Sequence, residues 1–237
     1  MIESTTVTHH IQKSILEMLM YRSTARFRDL RPPKTDTNLF TYHLQALIKA
    51  GLVKKLPTGY SLSTKGLSYV DRVSTENRMI RMQPKIISML LIQNSDGDVL
   101  LQRRTKQPYI DSWTLPYGKL HIDDESVEEA AQREAFEKLG LADQSLAHAG
   151  ICYIRVKADG EILSTTTAHI FTFFRDDIQT SDTVMWVRPH KLRHYRLAPA
   201  VEEIVARGFF RDPFFFEEYE VEWQDTTPLN ADEATDQ

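Results

Sequence analysis

Glu134 and Glu137 stand three residues apart, and Lys138 follows directly. On an α-helix, positions i, i+3 and i+4 project from one face. Glu134 and Glu137 therefore offer two carboxylates side by side. Clustered carboxylate oxygens are what hard divalent cations bind, and such cations neutralise anionic substrates and activate water. Lys138 brings an ammonium to the same face, in the Glu-before-Lys order at i, i+4 that favours an ion pair with Glu134. Taken alone, Glu128, Glu129, Glu134 and Glu137 also describe a solvated acidic helix face, so the surrounding residues have to decide.

The elements that would position these groups are legible. Ser126 to Leu139 reads as a helix stopped by Gly140. Upstream, Trp113-Thr-Leu-Pro-Tyr-Gly-Lys-Leu brings the chain to Gly118. Ile86 to Ile92 is an apolar run, Asn94 to Asp98 a turn, and Val99 to Leu101 a returning strand, which predicts a hairpin. Arg103 and Arg104 follow that strand.

Together these residues resemble the Nudix superfamily over about residues 85–210. The family box runs Gly, five residues, Glu, seven residues, Arg-Glu, apolar, any, Glu-Glu, any, Gly, apolar. The chain supplies Gly118, six residues, Glu125, seven residues, Arg133-Glu134, Ala135, Phe136, Glu137-Lys138, Leu139 and Gly140-Leu141. The resemblance implies cleavage of a diphosphate linked to another group, with Mg²⁺ or Mn²⁺ held by Glu134 and Glu137. It also implies that Glu125 braces Arg133 at the helix start, and it marks Arg133, Glu134, Glu137 and Glu125 as the catalytic set. Arg103, Arg104, Tyr117 and Gly118 become candidates for ligand binding, with arginine suited to bidentate phosphate contacts. Three departures stand out. Lys138 replaces a metal-binding Glu. The loop after Gly118 is one residue longer, so that Asp123 or Asp124 is available as a substitute ligand. Tyr117 stands where the family has a glycine and can crowd the approach to substrate. Tyr153, Arg155 and His169 fall on later strands that could line the pocket. His121, beside the box, is more readily structural.

The N-terminal third has a different pattern. Ile11, Ile15, Leu16, Met18 and Leu19 form a helical stripe, Ala25 to Leu30 reads as a short helix ended by Pro32-Pro33, and Thr35-Asp36-Thr37 offers N-cap chemistry. Phe40, Leu44, Leu47 and Ile48 make one buried face, and Gly51 ends that helix. Strands at Leu52–Leu56 and Tyr60–Ser63 flank Pro57-Thr58-Gly59, and Lys65 to Val73 is helical again. "NLFTYHLQALIKAGLVKKLPTGYSLSTKG" resembles bacterial winged-helix transcription factors over roughly residues 9–78. That resemblance implies double-stranded DNA as a partner, read by Asn38, Thr41, Tyr42, Gln45 and Lys49, with Lys54, Lys55 and Lys65 meeting phosphates beside the wing.

The charge distribution agrees. The net charge of −4 conceals a net +7 over residues 1–82 (13 Lys/Arg, 6 Asp/Glu) and a net −11 over residues 83–237 (16 Lys/Arg, 27 Asp/Glu). A basic segment is an electrostatic footprint for nucleic acid. The single Cys152 sits in an apolar run and suits a reducing compartment. The first thirty residues hold no long apolar segment and no apolar run is long enough to cross a membrane, so a cytoplasmic protein is expected. The expected fold is α+β: an N-terminal winged helix-turn-helix (residues 1–80), a linker (81–84), a Nudix α/β/α sandwich (85–216) and an acidic C-terminal tail (217–237). The expected function is a homodimeric transcriptional regulator whose Nudix domain senses a nucleotide-type or diphosphate-containing metabolite. The alternative is an active metal-dependent hydrolase with an accessory winged helix.

Overall fold

A computed structural model describes residues 7, 9–73, 83–209 and 214–224. The chain forms two compact units. Unit one comprises residues 1–83, 105–110 and 158–164; unit two comprises 84–104, 111–157 and 165–237.

Unit one runs α1 (His10–Met20), α2 (Phe27–Leu30), α3 (Thr37–Lys49), β1 (Val53–Leu56), β2 (Gly59–Leu62) and α4 (Thr64–Arg72). Asp36 starts α3 by accepting hydrogen bonds from the backbone N–H of Asn38 and Leu39 at 2.9 and 3.0 Å. Phe40, Leu44 and Leu47 on α3 are buried with Ile11, Ile15 and Leu19 of α1 in one core. The strands β1 and β2 pair antiparallel, with Val53 opposite Leu62 and Leu56 opposite Gly59. The second helix is shorter than its sequence pattern predicts, because Ala25 exchanges both backbone hydrogen bonds with Tyr60 at 2.9 Å and so extends the hairpin. A Cβ on Gly59 would lie 2.4 Å from the Ala25 carbonyl oxygen, and Gly59 has φ +145°, so only glycine fits there. The unit also includes two further chain segments: the Gln107 N–H donates to the Met20 carbonyl at 2.9 Å, and the Ser68 hydroxyl donates to the Ile162 carbonyl at 2.9 Å.

Unit two is a mixed α+β body. Its strands are β3 (Lys85–Gln93), β4 (Val99–Arg103), β5 (Trp113–Thr114), β6 (Tyr117–Lys119), β7 (Ala147–Ala158), β8 (Glu161–Phe174), β9 (Val184–Val187) and β10 (Phe215–Glu222), of which the end of β7 and the start of β8, within residues 158–164, belong to unit one. The sheet order is β10-β7-β8-β3-β4-β5, with β6 also on β3 and β9 also on β4. β3 runs parallel to β8, β10 runs parallel to β7, and β3 with β4 forms the expected hairpin. Ile87 to Ile92 is buried without a break, which requires cover on both faces of the sheet. On one face α5 (Val127–Leu139) packs Ala131 and Ala135 against Leu90, Ile92 and Phe171. On the other, α6 (Val201–Phe209) brings Gly208 to Leu91, close enough that a Cβ would lie 2.1 Å from Leu91 Cδ2.

The stretch from Glu217 to Glu222, which acidity marks as the start of a tail, is instead β10 at the edge of the sheet. Phe215 is buried, while Phe216, Glu218, Glu220 and Glu222 alternate outward. Charge hid a strand whose period of two was present all along. The linker residues 81–82 and the acidic end 225–237 lie outside the described residues. Among the described residues no helix is long and apolar enough to cross a membrane.

Candidate functional site

The box residues converge around the N-terminal end and buried face of α5. Ser126 caps the helix, accepting from the Glu129 N–H at 3.0 Å. Gly140 ends it in the left-handed region at φ +69°. With Ala130, Ala131 and Ala135 buried, the same stripe carries Glu134 inward, and only 5% of that residue remains exposed. Its carboxylate fills the space above Gly118: a Cβ there would lie 1.7 Å from Glu134 Cδ. The glycine of the box is therefore needed for room.

Two cations hold the buried carboxylate. Arg133 Nη1 donates to Glu134 Oε1 at 2.8 Å, and Lys138 Nζ lies 3.7 Å from Glu134 Oε2. The pair anticipated between Lys138 and Glu134 is thus formed. Glu137 is half exposed and lies 3.6 Å from Arg133 Nη1.

The brace of Arg133 is Asp124, and not Glu125. Arg133 Nε and Nη2 donate to the two Asp124 oxygens, each at 2.9 Å, and Nη2 also donates to the Lys119 carbonyl at 3.0 Å. Asp124 further accepts from the His121 N–H at 2.6 Å. These hydrogen bonds, Arg133 first, hold its carboxyl at about 2 against an ordinary 3.8. Arg133 is correspondingly raised, chiefly by Asp124. Glu125 is exposed, and its N–H bonds Glu129. The extra loop residue falls after the brace: five residues beyond Gly118 lead to Asp124. Counting the family spacing strictly would have found it.

The residues present do not fit a divalent cation. Asp124 is saturated by Arg133 and the backbone, Glu134 is held by two cations, and the exposed Glu137 pairs with Arg133. Three carboxylates meet two fixed cations, which leaves little negative charge for a metal to neutralise. Among the described residues no group of three or more His, Cys, Asp or Glu side chains converges as a ligand set. The substitute ligand expected from Asp124 is thereby spent on Arg133, and Asp123 remains exposed in the loop.

The ligand candidates divide. Arg103 Nη2 pairs with Asp111 at 3.0 Å. Arg104 hydrogen-bonds the Tyr117 hydroxyl and sits 5.4 Å from its ring centroid. Gly118 pairs with Ser88 and Tyr117 with Met89. Successive strand residues face opposite sides, so Tyr117 turns away from the face that carries Glu134. His169 Nδ1 lies 3.2 Å from His148 Nε2, and burial lowers both imidazoles. Arg155 lies 4.0 Å from Glu220.

In unit one, Asn38, Tyr42, Gln45, Lys49, Lys54 and Lys55 are all exposed, and Tyr42 is 68% exposed. Thr41 is only partly exposed, and its hydroxyl donates to the Thr37 carbonyl at 2.7 Å. Lys65 Nζ donates to the Ala50 carbonyl at 3.1 Å, near the end of α3. The sequence pattern did not single out His43. It is buried on α3 with its ring stacked on His9 at 3.7 Å.

Comparison with known proteins gives the following. The family model for the NUDIX domain matches residues 82–208. A MutT protein from Bacillus halodurans is 18% identical, covering 57% of this chain and 89% of that one with a TM-score of 0.47. The NUDIX domain of Shewanella oneidensis NrtR, solved with ADP ribose, is 18% identical and covers 60% and 96% with a TM-score of 0.45. The same organism's NrtR solved with a 27mer DNA is 18% identical and covers 53% and 61%, also at 0.45. No curated protein matches the chain. With the family's model spanning residues 82–208, more than half of its length, the chain belongs to the Nudix family.

Proposed function

We propose that this Nudix-family protein is a homodimeric, cytoplasmic transcriptional regulator. Its N-terminal unit is a winged helix that binds double-stranded DNA, and its Nudix domain binds a nucleotide-type or diphosphate-containing metabolite without hydrolysing it. The observation that carries the reading is the Lys138 ammonium 3.7 Å from the buried Glu134 carboxylate. An ammonium neutralises charge, but it has no open coordination position at which to polarise a phosphoryl oxygen or activate water.

The helix–helix–helix–hairpin–helix order of unit one, its basic segment and the exposed residues Asn38, Tyr42, Gln45, Lys49, Lys54 and Lys55 support DNA contact. Gln45 and Asn38 suit adenine edges, and the lysines suit phosphates. Regulation requires that the metabolite bind the DNA-competent and DNA-incompetent forms with different affinity.

The test is a turnover assay with Mg²⁺ or Mn²⁺ and a panel of nucleoside-diphosphate compounds, ADP ribose included. The wild type is expected to be silent and Lys138→Glu to gain metal-dependent turnover. Metal-dependent turnover by the wild type that Glu134→Gln abolishes would establish the alternative, an active hydrolase, and overturn this reading. Operator affinity that ignores every pocket-binding compound would remove the sensor.

A further inference from the structure

The chain beyond residue 82 carries a large excess of acid, and its cations are generally met by carboxylates. Arg103 pairs with Asp111, Arg133 with Asp124, Lys157 with Glu220, Arg175 with Asp177 and Arg207 with Glu217. In the segment from Arg188 to Arg196, Lys191 and Arg193 depart from this. The segment's nine residues include four Lys/Arg and two His, and no Asp or Glu.

Pro189 to His194 is a 3₁₀ helix. Three residues per turn eclipse positions i and i+3, which gives three ridges. One, Pro189 and Leu192, is the anchor, with Leu192 only 1% exposed. The other two are His190 with Arg193 and Lys191 with His194, and all four side chains are exposed. Arg188 is exposed ahead of them and pairs with Asp98 at 3.8 Å. Among the described residues no carboxylate lies within ion-pair distance of Lys191 or Arg193. Leu192 thus anchors a short turn whose two outer ridges each carry one permanent cation, Arg193 on one and Lys191 on the other. Acid is plentiful elsewhere in this part of the chain. Lys191 and Arg193, held without counter-charge, point to an anion supplied from outside.

We propose that Arg188–His194 is a phosphate-contacting surface for duplex DNA. The choice of polyanion rests on the DNA-binding reading above. Lysine and arginine on such a turn meet the sugar-phosphate backbone, which positions a protein on DNA without reading its sequence. The contact adds affinity that is independent of sequence and sensitive to salt.

The experiment uses the full chain and a labelled random-sequence 30-base-pair duplex, with binding followed by anisotropy from 50 to 200 mM salt. Each phosphate contact contributes about 0.9 to the salt slope. Lys191→Gln/Arg193→Gln is therefore expected to lower the slope by about 1.8, so that the wild type loses roughly 12-fold more affinity than the variant across this range. Lys191→Arg/Arg193→Lys keeps the charge and is expected to keep the slope. If Lys54→Gln/Lys55→Gln weakens binding while Lys191→Gln/Arg193→Gln leaves it unchanged, this surface is refuted and the winged-helix reading stands. If the wild type fails to bind the duplex even at 50 mM salt, both are refuted.

Discussion

Gly118→Ala should expel the carboxylate on which the site is built. The added methyl carbon would lie 1.7 Å from Glu134 Cδ and 1.8 and 2.0 Å from its two oxygens. Restoring van der Waals separation of roughly 3.5 Å moves the group by about 2 Å. That motion breaks the 2.8 Å bond to Arg133 and the 3.7 Å pair with Lys138. Breaking a buried ion pair so that one member is stranded costs about 3–5 kcal/mol. The Arg133 and Lys138 side chains are 21% and 30% exposed, so water relieves part of this, and a net loss of about 2–4 kcal/mol is expected. With a urea slope of about 2 kcal/mol/M, the unfolding midpoint of the Nudix unit falls by about 1–2 M. Gly140→Ala is the control: it has φ +69° but nothing within 4 Å of the new carbon, and it should cost only about 1 kcal/mol of backbone strain. In a Glu134→Ala background, Gly118→Ala should lose most of its effect, because the two share one clash. A midpoint shift no larger than that of Gly140→Ala, or full additivity with Glu134→Ala, would refute the account of the buried carboxylate.

Other expectations follow from the same geometry. Asp124 is held at about 2 against an ordinary 3.8; its contribution is complete above pH 3.8 and is lost as pH falls toward 2, so Asp124→Asn should flatten stability against pH in that window, as read by urea melts. Burial and the neighbouring His9 and His10 lower His43 from its ordinary 6.5, so the unfolded chain takes up the proton first and stability declines as pH drops below 6.5. His43→Gln should reduce that decline. The Cys152 thiol is fully buried and pushed up to about 12. It should resist aromatic disulfide reagents in the native protein and react at once in denaturant. Gly59→Ala forces a methyl to 2.4 Å from the Ala25 carbonyl oxygen at φ +145° and should destabilise the N-terminal unit by about 2 kcal/mol or more, measured by thermal unfolding.

The parts of the fold carried by local pattern were legible. The spacing that put Phe40, Leu44 and Leu47 on one face of α3 reappears as core, and so does the run from Ile86 to Ile92 apart from its first residue, Ile86, which is exposed. The Nudix helix was legible because cap, stripe and stop are all local: Ser126, the alanines and Gly140. What escaped depended on partners distant in sequence or on competing signals. The bridge between Ala25 and Tyr60 shortened α2, and nothing in either segment alone announces it. β10 was concealed because Glu217, Glu218, Glu220 and Glu222 outweighed the alternation of Phe215, Tyr219 and Val221. Glu125 drew attention as a Glu, although the family spacing lands on Asp124. The contact between His148 and His169 joins two strands whose register no local pattern fixes.

The edge strand β10 has a consequence for solubility. It closes one side of the sheet, and the outer edge of such a strand is a template on which another chain can add. Here Glu218, Glu220 and Glu222 project at every second position, so an approaching copy of the strand meets a row of like charges. Lys157 and Arg155 offset only Glu220. The exposed Phe214 and Phe216 sit at the start of the same strand. Acid or concentrated salt, by removing the repulsion while leaving the aromatic rings, should turn this guarded edge into the place where the protein first aggregates.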